Sequence, residues 1–264
     1  MDLALLLTAL ILGVVEGLTE FLPVSSTGHL IIVGDFLRFN DAQAKTFQIF
    51  IQLGAILAVV WHYRKRLGSF ITGLNQSIAQ RFWLNLIIAF APAALVGFAL
   101  HDQIKAYLFD PVTVAGALIV GGVIILLIER TPRRVRVRDF ESLHPSDAVK
   151  IGIAQTVSLF PGISRAGATI MGGLLTGLSR TTATEFSFFL AIPTMLAATS
   201  YELFTSRHLL SPESTALFAV GFIMAFVTAL MVIKAFLAYV ARHNFAAFAY
   251  YRIVFGLLVL IYFW

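Results

Sequence analysis

The stretch that decides the fold is residues 3–34, which read LALLLTALILGVVEGLTEFLPVSSTGHLIIVG. This run is longer than the ~20 apolar residues that a helix needs to cross a bilayer. Pro23 interrupts it, and proline removes a backbone donor and ends a helix. The residues that follow, Ser25, Ser26 and Thr27, are of the types that cap and begin a new helix. The sequence therefore predicts two short helices that enter the membrane, break and return.

The composition of the whole chain places it in lipid. Of its 264 residues, 59% are hydrophobic and only 12% are charged, against about 25% charged in an average soluble domain. Too few polar side chains remain to cover a surface in water, which excludes a soluble globular enzyme. The absence of cysteine excludes disulfides, thiolate metal sites and a cysteine nucleophile. The net charge of +5 lies in loops between apolar runs, so we predict a bilayer and no nucleic acid as partner.

A second stretch, residues 151–169, repeats the pattern of the first. It reads IGIAQTVSLFPGISRAGAT, with an apolar helix, a break at proline and glycine, and a polar restart. A shift of 138 residues superimposes Pro23 on Pro161 and Ser26 on Ser164. Short matches of this kind are typical of inverted repeats whose broken helices meet near the midplane of the membrane.

The expected fold is therefore an all-α polytopic membrane protein built from two inverted-topology repeats, each with a broken re-entrant helix pair. The chain is predicted to be a single membrane domain, residues 1–264. Repeat one covers about 1–130 and repeat two about 145–264.

Positive charge in the loops predicts the orientation. The basic loops at 62–81 and 130–138 are expected in the cytoplasm, because Lys- and Arg-rich loops stay inside. Segment 100–110 then lies outside. Both termini also lie outside if residues 3–34 enter the membrane from the outer face and return to it. The basic residues of the last third, Arg252 among them, are assigned to the inner side. Apart from the two broken regions, the uncharged stretches expected to span are 46–61, 82–100, 111–128, 186–201, 214–233 and the one ending at 264.

Three charges lie where a bilayer makes them costly. Glu16 and Glu20 are the ionised side chains of the first broken region, and Arg165 is that of the second. Each costs at least ~2.5 kcal/mol at a bilayer centre, so something must compensate it. Two acids one helical turn apart, with Thr19 beside them, favour a divalent cation, Mg²⁺ or Ca²⁺. The alternative is that the acids face a water-filled vestibule or pair with Arg165.

The two breaks themselves are candidate anion sites. A helix that begins after a proline or glycine turn points unpaired N–H groups and a positive dipole end at one spot. His29, one residue beyond the first restart, is a candidate base or nucleophile. The predicted substrate-binding residues are Ser25, Thr27, Gly162, Ser164 and Thr169, with the planar fork of Arg165 suited to phosphate oxygens.

The residues 16–29, EGLTEFLPVSSTGH, resemble the first signature of the bacterial undecaprenyl-diphosphate phosphatase family of the bacitracin-resistance type, and 161–169, PGISRAGAT, resemble the second. The resemblance runs through the whole chain. It implies hydrolysis of undecaprenyl diphosphate to the monophosphate carrier lipid of cell-wall synthesis, dependent on a divalent cation, in the bacterial inner membrane. Ala166 stands where the second signature commonly has serine, so no essential hydroxyl is expected there.

The resemblance assigns roles to particular residues. Glu16 and Glu20 fall on the family's acidic pair, Ser26 and His29 on its serine and histidine, and Ser164 and Arg165 on its phosphate-binding pair. The expected catalytic residues are therefore Glu16, Glu20, Ser26, His29 and Arg165, with Glu16 and Glu20 as metal ligands.

Several alternatives stay open at this level. Ser26 activated by His29 attacks phosphorus, or His29 activates water or attacks directly. Inverted repeats with broken helices also serve secondary transporters, so the chain could instead move a lipid phosphate across the membrane. A purely structural membrane protein would leave the buried charges without a reason. The sequence does not determine the oligomeric state. Because both acids, Ser26 and His29 belong to the first broken region, the site is expected to open to the outer face.

Overall fold

The computed structural model describes residues 3–100, 110–205 and 215–263 of the chain. Within these ranges, eleven α-helices account for nearly all regular structure, which confirms the all-α prediction for the described part. Most of segment 100–110, predicted to lie outside the membrane, falls beyond the described residues. The helices are α1 (Leu3–Thr19), α2 (Ser26–Phe36), α3 (Ala42–His62), α4 (Arg64–Thr72), α5 (Ser77–Ala99), α6 (Pro111–Arg130), α7 (Pro145–Thr156), α8 (Arg165–Leu175), α9 (Arg180–Thr205), α10 (Thr215–Val240) and α11 (Ala246–Phe263).

Six of these helices are long and apolar enough to cross a membrane. They coincide with the uncharged stretches that the sequence singled out as spans. Large apolar side chains project outward from them, such as Phe98 at 80% and Ile261 at 76% exposure. Such exposure is unfavourable in water and ordinary in lipid. The chain is therefore a multi-pass membrane protein, with candidate spans within α3, α5, α6, α9, α10 and α11.

Five of the described helices are too short to span: α4, with nine residues, and four others that come in two pairs. α1 and α2 have 17 and 11 residues, and α7 and α8 have 12 and 11, against the ~20 that a bilayer requires. Each pair is joined at one of the two breaks, and its members pack against each other. A 3-10 turn, Val157–Leu159, follows α7 before the second break.

Small residues let α1 lie directly against α10. A Cβ on Gly13 would lie 2.4 Å from the Gly221 carbonyl oxygen, and one on Gly17 would lie 2.6 Å from the Ala225 carbonyl oxygen. These residues have the four-residue spacing that allows close helix approach in lipid, where packing rather than water exclusion drives association. The contact fixes α1, with its two acids, against the body of the protein.

Aromatic side chains fill the core around the broken pairs. Phe82 packs edge-on against Phe189, with ring centroids 5.1 Å apart, and Phe21 packs edge-on against Phe188 at 5.3 Å. All four are buried. Because Phe21 lies within the first break and Phe188 lies on α9, this packing holds the first break against α9.

Candidate active site

The first break places two acids and two hydroxyls in the interior. Glu16 is fully buried on α1, and the Glu20 N–H donates to its carbonyl oxygen at 2.9 Å, so the acids lie one helical turn apart as predicted. Ser25 has φ 72° and ψ 96°, and its Oγ accepts a hydrogen bond from the Gly28 N–H at 3.4 Å. Ser26 then begins α2. A non-glycine residue at positive φ is strained, and such strain concentrates at functional sites.

The second break ends in the same local structure. Ser164 has φ 71° and ψ 116°, and its Oγ accepts a hydrogen bond from the Gly167 N–H at 3.1 Å. It therefore corresponds to Ser25, at a shift of 139 residues, and the predicted match of Ser164 to Ser26 is wrong. The reason is that Gly162, with φ 91°, adds one residue between the proline and the capping serine. By this register Ser26 corresponds to Arg165.

The two breaks meet each other. The Ser164 hydroxyl donates to the Leu22 carbonyl oxygen at 3.4 Å, which joins the second break to the first. The positive ends of α2 and α8 thus belong to one site, although their residues lie far apart in sequence. Helix starts of this kind leave several N–H groups without partners inside the helix and attract anions.

A carboxylate, a hydroxyl and a guanidinium form the centre of this site. The Ser26 hydroxyl donates a hydrogen bond to Glu20 Oε2. Arg165 Nη2 donates to the other oxygen, Glu20 Oε1, at 3.1 Å. The predicted alternative, that an acid pairs with Arg165, is therefore correct for Glu20. The pair is nearly shielded from solvent, with side-chain exposures of 10% for Arg165 and 8% for Glu20.

Helix α9 holds the arginine in place. Arg165 Nη1 donates to the Ser187 carbonyl oxygen at 2.9 Å, and the Thr169 hydroxyl donates to Ser187 Oγ at 2.7 Å. The Arg165 carbonyl oxygen, 2.9 Å from Thr169 Oγ1, is a second acceptor for the same hydroxyl proton. The Thr169 hydroxyl, a predicted substrate contact, is thus engaged in supporting Arg165. Ser187 carried no sequence signal, since serine is common in membrane helices.

Two polar groups in the site lack partners within the described residues. Both carboxylate oxygens of Glu16 and the Nε–H of Arg165 are buried without a hydrogen bond. A buried donor and a buried acid without partners are each costly unless a ligand completes them. A phosphate oxygen fits the donor, and a cation fits the acid. No group of three or more His, Cys, Asp or Glu side chains in the described part of the chain is placed to hold a metal.

The ring of His29 makes no hydrogen bond to the Ser26 hydroxyl. Its Nδ1 lies 2.7 Å from the Ser25 carbonyl oxygen and its Nε2 lies 2.7 Å from the Tyr251 hydroxyl. A carbonyl only accepts, which assigns the ring proton to Nδ1 and makes Tyr251 the donor to Nε2. The ring also stacks on Phe255 with centroids 4.1 Å apart. The hydrogen bond from Ser26 that activation by His29 requires goes to Glu20 instead.

Arg252 does not lie where the sequence analysis places it, and it contacts both breaks. It was assigned to the inner side of the membrane with the loop arginines, yet it lies within α11 and is 1% exposed. Its guanidinium donates to five carbonyl oxygens, two on α6 and three in the breaks: Ala117 at 3.1 Å, Leu118 at 3.2 Å, Pro23 at 3.2 Å, Gly162 at 3.0 Å and Ile163 at 2.8 Å. Arg165 is conspicuous in the sequence because it is a lone charge in an apolar run. Arg252 is likewise the one charged residue in 246–263, so the same criterion identifies it.

The remaining predicted contacts lie close to this centre. Thr27 is half-buried in the first turn of α2. The Gly162 carbonyl faces Arg252, and a Cβ at this position would lie 2.6 Å from the Val114 carbonyl oxygen, so the close approach requires glycine. Thr19 bonds back to the Val15 carbonyl oxygen at 2.6 Å, so its hydroxyl proton is used within α1.

Six candidate spans, with a buried carboxylate, hydroxyl and arginine at two facing helix starts, define an integral membrane protein with a buried polar site between its broken helices. Residues 9–258 match the family described as bacitracin resistance protein BacA, and the chain belongs to this family.

Relatives of nearly equal length share more than half of its residues. A protein of Methylobacillus flagellatus is 56% identical over 270 residues, covering 100% of both chains. One of Dechloromonas aromatica is 56% identical over 261 residues, covering 98% of this chain and 95% of the relative. One of Pseudomonas fluorescens is 54% identical, with the same shares covered. All three are named undecaprenyl-diphosphatase.

Proposed function

We propose that this chain hydrolyses undecaprenyl diphosphate to undecaprenyl phosphate and inorganic phosphate, which recycles the carrier lipid for cell-wall synthesis. The observation that carries the proposal is the Ser26 hydroxyl bonded to one oxygen of Glu20 while Arg165 holds the other. The name shared by relatives at 53–56% identity agrees with it. The expected location is the bacterial inner membrane.

The first step makes a covalent intermediate. Ser26 Oγ attacks the terminal phosphorus, and its proton passes to Glu20 Oε2, with which it is already hydrogen-bonded. The bond from this phosphorus to the bridging oxygen breaks, and undecaprenyl phosphate leaves with that oxygen. The unpartnered Nε–H of Arg165 and the first-turn amides of α2 and α8 stabilise the charge on the phosphoryl oxygens.

The second step regenerates the enzyme. Water attacks the phosphorus of phosphoserine and keeps its two protons on the phosphate, the bond to Ser26 Oγ breaks, and Glu20 returns its proton to that oxygen. Inorganic phosphate then leaves. In the alternative, His29 is the base that activates water; its distance of 2.7 Å to Tyr251 rather than to Ser26 favours Glu20 as the base for the serine.

The residues that would hold a divalent cation are Glu16 and Glu20. The orphaned carboxylate of Glu16 fits this role, and the oxygens of the diphosphate would complete the ligand set. When bound, Mg²⁺ or Ca²⁺ neutralises charge on the diphosphate. Replacing Glu16 by Gln is expected to raise the magnesium concentration needed for half-maximal activity, and an unchanged requirement would remove Glu16 from the metal site.

The arrangement of the two broken pairs supports an inverted repeat. Both breaks end at a strained serine cap, and the helices of both pairs are too short to span the membrane. The charge of the loops gives the two pairs opposite orientations. With both termini outside, the pair α1–α2 enters from the outer face and the pair α7–α8 from the cytoplasm. The site then opens outward between them.

The test is phosphate release by the purified protein in detergent, with a polyprenyl diphosphate as substrate. No gradient exists in detergent, so release supports hydrolysis, and its absence favours the transport alternative. Glu20→Gln should lower turnover by orders of magnitude. Glu141→Gln, which changes an exposed carboxylate in a loop, is the matched control and should leave it unchanged.

A further inference from the structure

A polar cavity lies at the opposite end of the broken pair α7–α8 from the candidate active site. It has a volume of about 470 Å³. Three separate segments line it: the end of α6 with the loop after it, the turn between α8 and α9, and the end of α10. None of its lining residues belongs to the candidate active site. Its size suits a small-molecule group rather than a single water.

Positive charge dominates the lining. A single carboxylate, Glu129, faces five arginines and a histidine, which are Arg133, Arg134, Arg138, Arg180, Arg242 and His243. A general excess of basic residues on cytoplasmic loops explains their number. It does not explain their convergence from three segments on one concavity.

Glu129 offsets only one of the five arginine charges in this cavity, and its oxygens are already used. It accepts from Arg180 Nε at 3.0 Å, from Arg133 Nη2 at 3.2 Å and from the Phe245 N–H at 3.0 Å, and its side chain is 3% exposed. These bonds fix the directions of two arginines. Glu129 thus acts as a buried support for the cationic wall.

The other donors are left without acceptors. Within the described residues, the side chains of Arg134, Arg138 and Arg242 enter no ion pair, and Arg133 Nη1 is buried without a hydrogen-bond partner. Several guanidinium groups around one cavity match phosphate oxygens, which accept bidentate bonds from arginine.

We propose that this cavity binds the phosphate-bearing headgroup of an anionic membrane phospholipid. Its position at the ends of membrane helices puts it at headgroup depth, where basic pockets between helices bind such lipids. Apolar side chains, Leu174, Leu178 and Val240, share the lining with the arginines. This mixture suits a headgroup with its first acyl carbons better than a freely dissolved ion.

The test counts bound lipid by native mass spectrometry of the purified protein, titrated with cardiolipin, a lipid with two phosphates. The triple variant Arg134→Gln, Arg138→Gln, Arg242→Gln removes three cavity charges. The control Arg64→Gln, Lys65→Gln, Arg130→Gln removes three exposed charges at helix ends outside the cavity. A loss of roughly fivefold per arginine predicts on the order of 100-fold weaker cardiolipin binding for the first variant. The control should change it less than about threefold, since screened surface charges contribute little.

Equal losses in the two variants would reduce the effect to surface charge and overturn the proposal. A second titration uses inorganic diphosphate. Binding of diphosphate without binding of cardiolipin would also overturn it, because the ligand would then be a soluble anion. The unmodified protein and the two triple variants should release phosphate at the same rate in micelles free of anionic lipid. This measurement separates the cavity from the proposed active site.

Discussion

Helix α6 offers a way to displace the Arg252 guanidinium without touching the arginine. A Cβ on Gly121 would lie 2.1 Å from Arg252 Nη2 and 2.7 Å from its Cζ. The end of an arginine side chain ordinarily moves aside, but this one is held by five carbonyl oxygens. Gly121→Ala must therefore break some of these bonds.

The magnitude follows from the bonds of Nη2. This atom donates to the Gly162 carbonyl at 3.0 Å and the Ala117 carbonyl at 3.1 Å. Hydrogen bonds to a charged group each stabilise the fold by about 1.5–3 kcal/mol. Replacing glycine by alanine within a helix stabilises it by about 1 kcal/mol. Loss of one bond predicts a net destabilisation of about 0.5–2 kcal/mol, and loss of both predicts about 2–5 kcal/mol. Because the second break shifts with its carbonyl, turnover should fall about 10- to 100-fold.

The matched control lies on the same helix. A Cβ on Gly116 would meet no atom within 4 Å, so Gly116→Ala makes the same chemical change in open space. The assays are thermal unfolding in detergent and phosphate release from a polyprenyl diphosphate. If Gly121→Ala matched Gly116→Ala in both, Arg252 would not couple the breaks, and the reasoning would be refuted.

Three further substitutions test separate parts of the site. Arg165→Lys keeps the charge but loses the planar fork that reaches Glu20 and α9 at once. Turnover should therefore fall on the order of 100-fold. Near-normal turnover would show that Arg165 acts only as a point charge. Tyr251→Phe removes the donor to the histidine and should slow phosphate release, whereas Tyr250→Phe, at an exposed neighbour, should not; equal rates would make the bond incidental. Thr27→Cys, in a chain with no native cysteine, should react in intact cells with a membrane-impermeant thiol reagent and Arg134→Cys should not; the reverse pattern would invert the topology.

The helix breaks and their charges were predictable because each leaves a local signal. Pro23 and Pro161 interrupt apolar runs, and proline removes a donor wherever it stands. Glu16, Glu20 and Arg165 are conspicuous because an isolated charge in an apolar stretch is costly. These signals need no knowledge of the tertiary structure.

The register of the two breaks was not predictable in the same way. Matching prolines gave a shift of 138, whereas the strained caps Ser25 and Ser164 give 139, since Gly162 adds a residue on the way. Backbone conformation at one position decides which residue begins the helix. Proline spacing does not report it.

The partners of the site residues depend on packing between distant segments. Tyr251 reaches His29 from α11, and Ser187 reaches Arg165 from α9. Neither residue type is unusual in a membrane helix. Arg252 did carry a signal, but counting it with the loop charges concealed that it lies inside an apolar helix.

The most direct test of the mechanism is a single-turnover experiment that traps the covalent intermediate. The enzyme is mixed with undecaprenyl diphosphate carrying ³²P in its terminal phosphate and quenched in acid within the first turnover. The account predicts acid-stable label on the peptide that contains Ser26, in keeping with phosphoserine, and none in Ser26→Ala. Label that is lost in the acid quench but kept on the His29 peptide in a parallel alkaline quench would contradict it, and so would phosphate release with no labelled protein at any time.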